Sequence, residues 1–210
     1  MTTTAEVERE VKFRVQNLAP VRQRLEALGA RLAQPRVHER NLRFDTPDRA
    51  LSRARRVLRL RQDTRATLTY KGPGDPQAEV ATRTEVNVGV DDFAAARRLL
   101  EALGYRVVLE YEKYRTVYAL GAVLVMLDET PLGPFVEVEG PTAAAIRAVA
   151  VRLGLRWEYR LRDSYAALFA RLQARLHPPP EHLTFAALAE HHPLPTDWLS
   201  VPPADTSAST

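Results

Sequence analysis

Charged and apolar residues alternate with a period of two in segment after segment of this chain. Glu6, Glu8, Glu10, Lys12 and Arg14 alternate with Val7, Arg9, Val11, Phe13 and Val15, and a strand turns two such sets to opposite faces. Arg59 and Arg61 stand against Leu58 and Leu60, Thr69 and Lys71 against Leu68 and Tyr70, and Arg83 and Glu85 against Thr84 and Val86. Lys113 and Arg115 share a face, Glu137 and Glu139 oppose Val136 and Val138, and Asp128 ends the apolar run Val123–Leu127. The spacing predicts strands near residues 6–15, 37–45, 57–62, 66–71, 82–89, 106–118, 121–128 and 134–140. A wet antiparallel face accounts for any one of them. Seven cations and six carboxylates repeated in this way fit a closed barrel with a charged lumen and apolar faces turned outward under helices. The expected class is α+β: a closed eight-stranded antiparallel tunnel with helices packed on its outside.

Apolar spacing of three and four predicts helices over Asn17–Leu32, Asp91–Leu103, Thr142–Leu153 and Ser164–Leu176. Gly104 and Gly154 follow two of them as left-handed caps. Leu25-Glu26-Ala27-Leu28-Gly29 echoes Leu100-Glu101-Ala102-Leu103-Gly104, a local sign of two related halves. Past residue 176 the composition changes, with seven of the fifteen prolines in 177–210. The expectation is a domain over 1–176 and a proline-rich acidic appendage over 177–210. That appendage carries a short helix near Leu183–Glu190, and its Ser/Thr/Ala end is disordered.

The charge is uneven. Residues 177–210 hold four acids and no lysine or arginine, which leaves the first 176 residues at +8 against +4 overall. Such a field favours anionic partners. Of the thirty cations only Lys12, Lys71 and Lys113 are lysines, and an ammonium is a compact charge where guanidinium is a wide permanent fork. There is no cysteine, which excludes disulfides and thiolate metal sites. The start lacks a signal peptide and no apolar run approaches the roughly 20 residues of a membrane span. A soluble cytoplasmic protein is expected.

Several motifs then fall in register. They are Glu8-x-Glu10-x-Lys12, Phe44-Asp45-Thr46-Pro47, Leu58-Arg59-Leu60-Arg61, Thr69-Tyr70-Lys71-Gly72-Pro73, Arg83-Thr84-Glu85, Lys113-Tyr114-Arg115, and the run Leu132–Glu139. Ser164-Tyr165-Ala166-Ala167-Leu168 closes the series. Together they resemble the CYTH superfamily, the triphosphate tunnel metalloenzymes, over roughly residues 5–172, with Arg43 where that family usually has tyrosine. The resemblance implies a metal-dependent enzyme acting on ATP, tripolyphosphate or thiamine triphosphate.

Carboxylates two apart on a strand point the same way, so Glu8 with Glu10 and Glu137 with Glu139, joined by Asp128, make oxygen ligands for Mg²⁺ or Mn²⁺. Arg59, Arg61, Lys71, Arg83, Lys113 and Arg115 grip phosphates, and Glu85 shares the tunnel. Lys12 either activates or orients the nucleophile. The tyrosine–lysine–glycine–proline turn and the length look most like the class IV adenylate cyclases, in which the ribose 3′-oxygen attacks the α-phosphorus. The close alternative is hydrolysis of the terminal phosphate of inorganic or thiamine triphosphate. A remote alternative is non-catalytic binding of polyphosphate or nucleic acid by the seven arginines of residues 49–65; the glutamates speak against nucleic acid. A homodimer is compatible with the sequence. His38 is a strand-end residue by default, and His177, His191 and His192 lack metal spacing.

Overall fold

The computed structural model describes residues 6–195 and 198–206. Eight strands, β1 (Glu6–Arg14), β2 (Arg31–Asp45), β3 (Val57–Gln62), β4 (Ala66–Lys71), β5 (Ala81–Val90), β6 (Arg106–Leu120), β7 (Val123–Thr130) and β8 (Gly133–Glu139), close into one barrel. The order around it is β1-β5-β4-β3-β2-β6-β7-β8, and every neighbour is antiparallel. The period-two pattern is resolved as expected, with apolar faces outward. Val11, Phe13, Val125, Leu127, Val136 and Val138 pack under α1 (Leu18–Ala27) and α4 (Ala143–Arg152). Leu42, Phe44 and Leu60 pack under α3 (Phe93–Ala102). Side-chain caps start these helices: Asn17 accepts from Ala19 N, Asp92 from Ala95 N and Thr142 from Ala145 N.

The first helix is shorter than its periodicity suggested. It ends at Ala27, Gly29 takes a left-handed φ of 72°, and Leu32 lies in β2, half exposed, instead of on the helix stripe. The two-turn apolar stripe is satisfied by Val21 and Leu25, after which the glycine ends the helix. β2 therefore begins six residues earlier than expected, with register shifts around Gln34–Val37 that accommodate Pro35. A single helical turn not foreseen, α2 (Ala50–Arg53), is held by Asp45, which accepts from the N–H groups of Leu51 and Ser52.

One end of the barrel is plugged. Inward-facing Leu109, Tyr111 and Phe135 meet Tyr165, Leu168, Phe169 and Leu172 of α5 (Tyr165–Gln173). The proline-rich stretch, expected as an appendage, joins this packing through Leu183, Leu188, Trp198 and Leu199. Its short helix, α6, runs over Phe185–Leu188. Leu183 pairs with the stretch of β6 that β7 leaves uncovered: its N–H donates to Glu110 O, and Glu112 N–H donates to its carbonyl. Asp205 accepts from the N–H groups of Gln16 and Asn17. A polar, proline-rich composition hid this because the few apolar residues are widely spaced. Residues 207–210, most of the end expected to be disordered, lie outside the described residues. No described helix is long and apolar enough to cross a membrane.

Candidate active site

The barrel encloses a cavity of about 290 Å³. Nine cationic side chains and six carboxylates line it, so an anion is favoured inside. Their arrangement follows from the strand order. Glu8 and Glu10 of β1, Glu85 of β5, and Glu137 and Glu139 of β8 occupy three consecutive strands. Directly across the ring, β3, β2 and β6 carry Arg59, Arg61, Arg43, Lys113 and Arg115, with Glu39 as the one carboxylate among them. Each wall places like charges side by side. Glu10 is the cross-strand neighbour of Glu139, and Arg43 of Arg59. Like charges directly opposite destabilise a sheet, so one wall calls for a cation and the other for an anion.

The lysines bind the acidic wall together. Lys71 Nζ lies 2.5 Å from Glu8 and 2.9 Å from Glu85, and Lys12 bridges Glu10 and Glu137, 3.2 Å from the latter. Burial alone would lower the Lys12 ammonium, but Glu10 and Glu137 outweigh it and hold the pKa above the ordinary lysine range. Glu139 has no such partner. Burial first, then Glu10 and Glu137, push its pKa up to about 7. Burial and Glu10 likewise raise Glu8, while Glu85, beside Lys71, is lowered despite its own burial. On the basic wall, Lys113, Arg115 and Arg61 overcome burial and bring Glu39 down to about 2. Burial and Arg83 lower Arg43, and no carboxylate pairs with it among the described residues.

A model of the CYTH domain matches residues 6–165. The chain belongs to the CYTH family. CYTH proteins are triphosphate-processing enzymes, and this chain is one of them. It is 28% identical to a Methanocaldococcus jannaschii protein whose name calls it a candidate adenylate cyclase, over 63% of this chain and 76% of that one. Among solved structures it resembles the PH1012 protein of Pyrococcus horikoshii (28% identity, TM-score 0.64, 75% and 96% of the two chains). A Hippeastrum protein described as a candidate adenylyl cyclase with a dominant triphosphatase activity shares the fold (18% identity, TM-score 0.57, 78% and 95% covered).

The CYTH lumen holds all the expected residues but one. Asp128 faces inward yet is fully buried behind the wall. Arg115 grips it through two hydrogen bonds of 2.6 Å, and Lys113 (3.0 Å) and the Tyr165 hydroxyl (2.7 Å) also donate to it. With its oxygens taken by donors it cannot serve as the metal ligand expected of it; it anchors two cations and the plug. Arg115 reaches the lumen but is engaged by Asp128 and Glu137, so it is a framework cation more than a free phosphate fork.

The remaining carboxylates are hard-oxygen donors of the kind a divalent metal takes. Glu8, Glu10 and Glu139 supply hard oxygens in a crowded, under-neutralised group. No three His, Cys, Asp or Glu side chains among the described residues converge as a preformed metal site. Mg²⁺ or Mn²⁺ would take only a few of these carboxylates and complete the shell with water and substrate phosphate.

Among the charged and aromatic lining residues, Glu39, Arg43, Tyr111, Arg162 and Tyr165 were not assigned to the site from the sequence of this CYTH chain. Glu39 and Arg43 lie on the face of β2 opposite Leu42 and Phe44, and Tyr111 lies two before Lys113, so the alternation already held the signal. Arg162 and Tyr165 precede and begin a helix and carried no such signal. His38 faces outward, 2.7 Å from Glu112. Arg59 and Arg61 turn into the lumen, which breaks the run of residues 49–65 as an outer stripe for nucleic acid.

The crowding has a measurable consequence. A carboxyl whose pKa is raised by folding stabilises the fold below its unfolded value near 4.5 and loses that contribution as pH rises through the folded value. Glu139, near 7, and Glu8, also raised, set the sign. Glu39 and Glu85 are depressed, so their contribution is already complete above 4.5. The metal-free protein is expected to melt several degrees lower at pH 8 than at pH 6 in chelator-containing buffer. A melting temperature that rises over that interval would show that the acidic wall is not self-repelling.

Proposed function

We propose that this chain is a divalent-metal-dependent enzyme that converts ATP to cyclic AMP and pyrophosphate. The observation that carries the reading is the pair of facing walls, one needing a cation and the other an anion, across a lumen of this size. The Methanocaldococcus relative and the lysine–glycine–proline turn at Lys71-Gly72-Pro73 support the cyclising choice. Glu8, Glu10 and Glu139 would hold Mg²⁺ or Mn²⁺, with Glu137 fixed behind them by Lys12 and Arg115. When bound, the metal supplies charge neutralisation and orientation of the phosphate oxygens.

The chain's own groups do the rest. Arg59, Arg61 and Arg83 present forks to the three phosphates, and Lys71 and Lys113, already held by carboxylates, add point charge beside them. Charge stabilisation and positioning are most of what phosphoryl transfer requires. Attack by the ribose 3′-oxygen on the α-phosphorus forms one P–O bond as the bond to the β-phosphate oxygen breaks; the 3′-hydroxyl proton leaves to solvent and pyrophosphate departs against the basic wall. Lys12, held protonated by Glu10 and Glu137, acts by charge and orientation and not as a base.

A second reading, hydrolysis of the terminal phosphate of tripolyphosphate or thiamine triphosphate, is favoured by the same cations, which contact phosphates and not what is attached to them. Incubating purified protein with Mn²⁺ and either ATP or tripolyphosphate separates the two. Cyclic AMP with pyrophosphate supports cyclisation; orthophosphate from either substrate supports hydrolysis. No metal-dependent, chelator-sensitive product from either would overturn both.

A further inference from the structure

Beside the α5 plug, between that helix and the β4–β5 loop, lies a second basin of about 1130 Å³, which shares Arg43, Arg83 and Arg162 with the lumen. We propose that this basin binds the continuation of a linear inorganic polyphosphate longer than three phosphates, whose end lies in the tunnel. The proposal rests on the reading of the lumen as a triphosphate site.

The basin carries built, uncancelled positive charge. Arg160 and Arg162 are fixed from the far side by carbonyls of the β4–β5 loop. Arg160 Nε donates to Glu79 O at 3.2 Å, and Arg162 donates to Pro76 O at 2.9 Å and Ala78 O at 2.6 Å. A neutral carbonyl orients a guanidinium without cancelling its charge. Across from them stand Arg55 and Arg56, just past the turn that Asp45 holds. Neither they nor Arg43 and Arg83 pair with a carboxylate among the described residues.

Seven arginines line the basin against three acids, of which one is ion-paired and two take hydrogen bonds from neutral donors. Asp163 pairs with Arg171 at 3.0 Å, Asp75 accepts from Gln77 N–H at 2.8 Å, and Glu79 accepts from the Trp157 indole at 3.1 Å. The cationic surface is thus continuous from Arg59, through Arg43 and Arg83 at the mouth, to Arg55 and Arg56 outside. No aromatic side chain lines the basin among the described residues. Single-stranded nucleic acids are held by aromatic stacking as well as charge; a chain of phosphates needs forks alone.

The test compares binding of tripolyphosphate and of an end-labelled medium-length linear polyphosphate to the full chain, by anisotropy at several salt concentrations. The same is done for the Arg55→Gln/Arg56→Gln protein; both side chains are exposed, and its melting temperature is checked against the parent. The parent is expected to bind the longer chain at least roughly tenfold more tightly, since each added charge-assisted contact is a strong one. The double variant should lose that surplus and keep tripolyphosphate affinity and turnover within about twofold of the parent. Its log K against log salt should flatten by roughly 1.4 for two lost phosphate contacts.

Equal affinity for both lengths in the parent overturns the proposal. So does a variant that weakens tripolyphosphate as much as the longer chain. A single-stranded oligonucleotide bound as tightly as polyphosphate, and lost with the same variant, overturns it in favour of a nucleic-acid backbone. Failure of the parent to bind tripolyphosphate at all is the separate signature that the tunnel reading itself is wrong.

Discussion

Asp128→Ala is expected to lower the melting temperature of this protein by roughly 10 °C, the largest stability effect of any single substitution in the lumen. The carboxylate is fully buried and takes hydrogen bonds from Arg115, Lys113 and Tyr165. Removing it leaves a guanidinium and an ammonium close together in a site that water does not reach. Breaking a buried ion pair by deleting one partner costs about 3–5 kcal/mol, because the other charge stays behind uncompensated. In a chain of this size each kcal/mol is worth about 2–4 °C. The tyrosine hydroxyl also loses its acceptor, which loosens the plug. Asp128→Asn keeps the volume and one acceptor, and should fall between the parent and the alanine variant. A thermal melt decides it. An alanine variant that melts within a degree or two of the parent would mean that Arg115 and Lys113 find compensation elsewhere, in Glu39 or Glu137.

Arg59→Ala is expected to do the opposite: lower kcat/KM by roughly 10²–10³ while leaving the fold intact. A charge-stabilising group aimed at a phosphate is worth that much in transition-state energy. Arg59 stands beside Arg43 across the strand pair; its Nε has no protein partner, a terminal nitrogen makes a long bond of 3.3 Å to Thr69 Oγ1, and the Tyr111 hydroxyl lies against the guanidinium. Burial disfavours its charge, but Tyr111, Glu85 and Glu39 outweigh that and hold its pKa above the ordinary arginine value without a close ion pair among the described residues. Removing it should lower the melting temperature far less than Asp128→Ala does, because no close ion pair is broken. Arg59→Lys should recover part of the activity by restoring charge without the fork. Steady-state kinetics on whichever triphosphate is turned over, paired with a melt, checks both halves. A variant that loses stability in step with activity would make Arg59 a structural residue.

The two substitutions separate residues that look alike in the sequence. Asp128 and Arg59 are both charged, both on strands and both on the inward face. Asp128 sits toward the end of β7, one inward position before Thr130, where α5 closes the barrel, and is sealed. Arg59 sits at mid-barrel, where the opposite wall is an open lumen away. Arg61 is intermediate: its Nε lies 3.2 Å from Asp63 but is misaligned for a hydrogen bond, and it contacts Glu39 only at 3.8 Å.

The period of two along each strand determined a great deal. It located all eight strands to within a few residues, apart from the early start of β2. It also sorted Glu8, Glu10, Lys12, Arg59, Arg61, Lys71, Arg83, Glu85, Lys113, Glu137 and Glu139 onto inward faces, because side-chain direction in a strand is a local property of the backbone. What it left open was which faces meet. Strand neighbours are set by how the sheet closes: β1 lies between β5 and β8, far from it in sequence, and opposite β2 across the ring. Only that closure gathers the glutamates into one wall and the arginines into another, seals Asp128 at the plugged end, and folds the proline-rich stretch against β6. Long-range pairing has no local period to announce it, so alternation supplied the charges and the tertiary fold decided what each one faces.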